Sequence, residues 1–217
     1  MNNTNEEMTN IQKHGANMKK DKSNPTLSRE GLGNYGAEDN EMLKLFTHIR
    51  NMKYVQRLSS VPLIKKYSLA EHCYYTGQLF ELIAKEENIR VLPEWVSWVY
   101  RHDLLETVTG DVLRPAKNFN DLVEASWILI ENQLVLHGYP HLKKYTDVSA
   151  EQHMSKEAFR LWQACDLLEL FMFCEEEYTM GNRNFAIINI LRNARRLLLQ
   201  RHGDIKTINF YLFDRQY

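Results

Sequence analysis

No stretch of about twenty consecutive apolar residues occurs in this chain, and no N-terminal apolar run leads to a small-residue cleavage site, so neither a membrane span nor a secretory signal is expected. Cysteine is scarce. Cys73, Cys165 and Cys174 are odd in number and show no Cys-x-x-Cys spacing, which argues against a disulfide framework and for reduced thiols in a cytoplasmic setting. An excess of one charge is also missing: 27 Lys and Arg stand against 28 Asp and Glu, a net charge of −1. The strongly basic field of a protein that binds a nucleic acid duplex is therefore absent, although a local positive patch could still hold a small phosphate ligand.

What is present is enough for one good core. The chain has 217 residues, of which 44% are hydrophobic, and is most simply a single folded domain. Residues 1–38 are rich in Asn, Lys, Glu, Ser and Gly without apolar periodicity and are expected to form a disordered tail. The folded domain is expected over 39–217. Met42, Leu45, Phe46, Ile49 and Met52 recur at helical spacing, with Asp39 or Asn40 available as N-cap. A second helix is expected from about Ser68 to Glu87, opened by the capping-box pair Ser68 and Glu71. A third should run from about Pro93 to Thr107, with the proline in its first turn. Further helical pieces follow at about 119–137, 151–179 and 183–201. The run Ile208 to Phe213 suits either a helix or an extended segment. No clear strand appears, so the fold class is all-α, a helical bundle with its site between facing helices.

The chemistry concentrates in Tyr100-Arg101-His102-Asp103-Leu104-Leu105-Glu106-Thr107-Val108-Thr109-Gly110-Asp111. On a helix, His102, Asp103 and Glu106 lean toward one face. Imidazole and carboxylate together suit a divalent ion of the zinc, manganese or cobalt kind better than calcium. At least two more ligands must come from elsewhere. Asp166 lies in the apolar helix Leu161–Phe171, where an unpaired carboxylate is strongly unfavourable. A metal resolves this, as would a buried salt bridge to Arg101 or Arg160. Glu106 is close to the ligands without being needed as one, which suits a general acid or base, with Asp111 as alternative or partner. Gly138 and Pro140 break any helix that would align His137, His141 and His153 into a second metal site. Cys73 and Cys165 read as core filler.

Taken together, Ala70-Glu71-His72, His102-Asp103 and Ala164-Cys165-Asp166 resemble the His…His-Asp…Asp pattern of the HD-domain metal-dependent phosphohydrolases. The His-Asp-x-x-Glu-x-x-Thr-Gly-Asp segment followed by Pro115 and Lys117, the earlier Arg57, Gln163-Ala164-Cys165-Asp166 and Gly181-Asn182 resemble the bacterial 5′-deoxynucleotidases in particular. The match covers roughly Arg57 to Phe185. It implies a compact HD-domain bundle holding one divalent ion (Zn, Mn or Co) on His72, His102, Asp103 and Asp166. Glu106 and Asp111 would then serve proton transfer, and Arg57 and Lys117 phosphate binding. The implied activity is release of phosphate from deoxynucleoside 5′-monophosphates. The alternative is triphosphate release from dNTPs, as in related phage dATP-hydrolysing enzymes, and a silent nucleotide-binding scaffold is the third reading. The resemblance leaves a homodimer open. In one place the chain departs from the pattern: the bacterial enzymes usually have Arg-Trp where this chain has Arg57-Leu58, so stacking on that side chain is lost.

Overall fold

A computed structural model of the chain describes residues 37–112, 117, 120–145 and 153–213. The expected tail lies outside the described residues up to position 36, as do Arg114 and Pro115. Helix α1, Ala37–Asn51, begins ahead of Asp39 and Asn40, so both lie within it rather than capping it. Its apolar spacing turns Leu45 and Ile49 toward the core and leads to the buried Met52 in a 3-10 turn, Met52–Tyr54, while Met42 and Phe46 remain exposed. The chain then makes a loop whose ends pair. Arg57 N–H donates to Tyr67 O (2.8 Å), Leu69 N–H to Val55 O (2.9 Å), and Gln56 bridges Ser68 in antiparallel sense. No strand forms beyond that bridge among the described residues.

Helix α2, Leu69–Glu86, starts on the expected capping box: Glu71 N–H donates to Ser68 Oγ, and Ser68 N–H donates back to the Glu71 carboxylate (2.9 Å). Gly77 in its middle faces the ring of Tyr100 so closely that a Cβ there would collide with it. Close approach of α2 to the His102 segment therefore depends on this glycine. The third helix differs from its expected span. Helix α3 covers only Pro93–Val99, residues 100–105 form turns, and α4 is the short Glu106–Thr109. Leu104 N–H donates to Arg101 O (2.9 Å) and Glu106 N–H to Asp103 O (2.9 Å), the tighter three-residue closure. His102 and Asp103 lie in this turn, and both reach the point where the candidate ligands converge. Gly110, at φ 75°, takes the chain out of α4.

Helix α5, Asp121–Gln133, runs into a π-turn, Leu134–Gly138, and a 3-10 segment, Pro140–Tyr145. The central helix is α6, Lys156–Thr179, packed against α2 and against α7, Phe185–His202. The segment left undecided by its sequence is helical: α8, Lys206–Phe213, buries Ile208 and Leu212. No described helix is long and apolar enough to cross a membrane.

Four carboxylates on α6 are buried: Asp166, Glu169, Glu175 and Glu177. Buried charge is tolerated only with partners, and each has them. Glu175 accepts from Tyr211 O–H (2.7 Å). Glu177 accepts the Ile64 and Lys65 amides (both 2.8 Å) and Asn182 Nδ2 (2.6 Å), and Asn182 also donates to Pro62 O (2.9 Å). Gly181-Asn182 thus braces the loop that follows Arg57. Burial alone would raise the pKa of Glu177, but the amides and Asn182 outweigh it and hold it below the ordinary carboxylate value. A depressed pKa contributes stability that is complete above the unfolded value of about 4.3 and fades as pH falls through the folded one. Glu177→Ala should cost on the order of 2–3 kcal/mol in urea unfolding at pH 7, and the difference from wild type should shrink on acidification below about pH 4.

Candidate metal centre

Three separate pieces of chain deliver the candidate ligands. His72 comes from the first turn of α2, His102 and Asp103 from the interrupted segment after α3, and Asp166 from the middle of α6. Their four donor atoms lie within 4.8 Å of one another, and no other such group of three or more converges among the described residues. His72 Nε2 is 3.3 Å from His102 Nε2, 3.0 Å from Asp166 Oδ1 and 3.5 Å from Asp103 Oδ2. His102 Nε2 is 3.4 Å from Asp103 Oδ2 and 3.5 Å from Asp166 Oδ1. A tetrahedron with zinc-like bonds of about 2.0–2.1 Å has edges of about 3.3–3.4 Å, close to this set.

The orientation of both imidazoles fits the same purpose. His102 Nδ1–H donates to Val99 O (2.8 Å), and His72 Nδ1–H donates to Glu169 Oε2 (2.5 Å). Each ring therefore presents the lone pair of Nε2 to the convergence point, the arrangement of metal-bound histidines. Trp98 and Trp162 enclose the His102 ring at centroid distances of 6.0 and 5.6 Å. Without a cation, protons are drawn to this cluster. Burial and the Arg57 charge oppose protonation of His72, but Glu169 and Asp166 outweigh them, and its pKa is pushed up to about 9. Burial opposes a charge on His102 too, yet Asp103 holds its pKa well above the ordinary value. Burial would raise Asp103, whereas His102 and Arg57 lower it to about 2. Four acceptors sharing one buried point call for positive charge, and the donor set fits a zinc-class ion.

The rim contains the remaining expected residues. Arg57 Nη1 donates to Asp103 Oδ2 (2.6 Å). Lys117 Nζ donates to Glu106 Oε1 (3.3 Å), lies 3.8 Å from Glu131 Oε1 and sits 5.2 Å above the Trp127 ring. Glu106 is buried, and its Oε2 has no hydrogen-bond partner. Burial and the Asp103 charge push its pKa up to about 8 against the pull of Arg57 and Lys117. Asp111 Oδ2 accepts the backbone N–H of Leu58 (2.8 Å). Leu58 adopts φ 52° with its side chain buried, so Asp111 fixes a left-handed turn beside Arg57. The α4 turn is anchored in turn by His48 of α1. Thr107 O–H donates to Leu104 O (2.8 Å), so His48 Nδ1–H donates to Thr107 Oγ1 (2.6 Å).

The salt-bridge alternative for Asp166 is not realised, because Arg160 binds Asp204 and Arg101 binds Ser97. Cys73 and Cys165 are fully buried free thiols. Reading the sequence missed Glu169 and Tyr67, whose hydroxyl also donates to Glu169 Oε2. The available signal was the spacing Asp166-x-x-Glu169, which stacks two carboxylates on one face of an apolar helix.

Comparison with known proteins agrees with this geometry. The family model described as 5′-deoxynucleotidase YfbR-like matches residues 44–208. A 5′-deoxynucleotidase of Cronobacter sakazakii is 24% identical over 170 residues, covering 73% of this chain and 83% of its own. One from Shewanella oneidensis is 25% identical over 154 residues, covering 66% and 79%. Among solved structures, an HD-domain phosphohydrolase of Listeria innocua has a TM-score of 0.65 at 14% identity, covering 80% of this chain and 86% of its own. The cyanophage S-2L HD phosphohydrolase, bound to dA and one catalytic Zn2+ ion, has a TM-score of 0.56 at 19% identity, covering 78% and 94%. These structures share the all-helical fold.

Adding zinc, manganese or cobalt to metal-stripped protein should raise Tm by on the order of 5–10 °C at a hundredfold excess over Kd, read by scanning calorimetry. Asp166→Ala should abolish that rise, and an unchanged rise would remove Asp166 from the site.

Proposed function

Since the chain belongs to the YfbR-like 5′-deoxynucleotidase family, we propose that it hydrolyses deoxynucleotides and that its main reaction releases phosphate from deoxynucleoside 5′-monophosphates. The observation that carries this reading is the convergence of His72, His102, Asp103 and Asp166 beside a buried carboxyl, Glu106, and two cations, Arg57 and Lys117. The cyanophage relative, with zinc and a deoxynucleoside bound, favours an ion of the zinc class.

An ion held by those four residues supplies Lewis-acid polarisation of the phosphoryl group and a more acidic water. The chain does the rest. Arg57 sits at the rim beside Asp103, where its guanidinium can receive two phosphate oxygens as a fork. Lys117 adds a second positive charge, which it now shares with Glu106 and Glu131. Together Arg57 and Lys117 could balance one phosphate dianion. Burial and the Asp103 charge push the pKa of Glu106 up to about 8 before an ion binds, which makes it a carboxyl able to carry a proton. It can give that proton to the leaving 5′ oxygen as the P–O bond breaks and regain one from the attacking water. Asp111, engaged by the Leu58 amide, holds the Arg57–Leu58 turn, which favours Glu106 over Asp111 as the proton carrier. Leu58 lies in the core, so no ring at that position stacks on a base.

Metal-loaded protein incubated with dNMPs, NMPs and dNTPs should release inorganic phosphate from dNMPs, whereas triphosphate release from dNTPs would support the alternative reaction. Glu106→Gln should keep the metal and lose about 10²–10⁴ in kcat, and ordinary turnover would end its assignment. Asp111→Asn, which keeps an acceptor oxygen for Leu58, should retain most of the kcat that Asp111→Ala loses. Equal losses in the two variants would return proton transfer to Asp111.

A further inference from the structure

We propose that Glu169 is a positioning residue for the metal ligand His72, and that Tyr67 is the anchor through which Glu169 is itself held. Glu169 follows Asp166 by three residues on α6, so one helical turn carries both a ligand and the group that orients another ligand. Its Oε2 accepts from two donors, His72 Nδ1–H at 2.5 Å and Tyr67 O–H. Glu169 is 5% exposed, Tyr67 2% and His72 not at all, so water does not compete for these bonds. The Tyr67 ring is clamped flat against Phe173, with centroids 3.8 Å apart and planes 9° apart. That stacking fixes where its hydroxyl points, and the hydroxyl fixes which Glu169 oxygen faces His72.

The same tyrosine belongs to the loop that carries Arg57. Arg57 N–H donates to Tyr67 O (2.8 Å), and the guanidinium lies 5.6 Å above the Tyr67 ring before reaching Asp103. A closed circuit results, from Asp103 through Arg57, Tyr67 and Glu169 to His72, with a candidate metal ligand at each end. A carboxylate behind an imidazole holds the ring's tautomer and raises its basicity toward the ion. His102 has the neutral carbonyl of Val99 in that place, so the two imidazoles are backed unequally.

The proposal rests on the metal reading of the cluster, and the test separates the two. Zinc or cobalt affinity is measured on purified full-length protein by competition with a chromophoric chelator, with no substrate present. Wild type that takes up no ion ends the metal reading. If wild type binds, Glu169→Gln should bind 10–100-fold more weakly. Tyr67→Phe, which keeps the ring on Phe173, should weaken binding less. The Tyr67 hydroxyl also lies 3.1 Å from His72 Nδ1, so the double variant decides the route: it should be no worse than Glu169→Gln alone if Tyr67 acts through Glu169. Wild-type affinity in Glu169→Gln, or losses that add in the double variant, would overturn the proposal. Should Glu169→Gln fail to fold, proton NMR of metal-loaded wild type decides: a far-downfield His72 Nδ1–H resonance that is lost in His72→Ala supports the bond, and its absence rejects it.

Discussion

Two imidazoles and two carboxylates, their donor atoms within 4.8 Å of one another, converge at the centre, and the architecture around them exists to keep them there. Their mutual attraction when the imidazoles are protonated does not by itself set where they meet. That point is imposed by α2, α6 and the turn after α3, each fixed by bonds that do not involve the centre. The capping box starts α2 one turn before His72. Gly77 lets Tyr100 lie against α2. The His48 to Thr107 bond pins the far side of the turn. A rigid frame that already gathers the donors spares a cation the cost of assembling them, and binding then displaces the protons that the cluster attracts.

Much of this was legible in the residues, and what was hidden has physical reasons. The candidate ligands come from three separate stretches of sequence with recognisable neighbours, and their donor atoms lie within 4.8 Å of one another. The capping box of α2 was readable because it is a local exchange of two hydrogen bonds between residues three apart. The continuous third helix was misjudged. Its apolar spacing is helical throughout, and local pattern does not reveal the tighter closures, Leu104 onto Arg101 and Glu106 onto Asp103, that break it. Glu169 escaped notice because a glutamate near the middle of a helix ordinarily faces water, and only the packing of α6 against α2 shows that this one does not. The helical state of Lys206–Phe213 is likewise set by the tertiary burial of Ile208 and Leu212, to which local pattern is blind.

The rim is built differently from the centre. Among the described residues, Arg57 is shared with Asp103 and Lys117 with Glu106 and Glu131, while Asp111 accepts the Leu58 amide. Shared charges can change partner at low cost when an anion arrives, because one ion pair is exchanged for another rather than created from water. Leu58 carries this logic into specificity. With its side chain in the core and its amide on Asp111, it organises the loop from below and leaves recognition of the sugar and base to other surfaces.

Helix α6 bears Asp166 and Glu169, the proposed ligand and orienter of a ligand, and Glu177, which clamps the loop beyond Arg57. All three sit on one unbroken rod, so their relative bearings are a matter of register alone. Removing or adding one residue between Asp166 and Glu177 would swing everything beyond it by about 100°. In that respect α6 behaves less like a sequence than like a ruler.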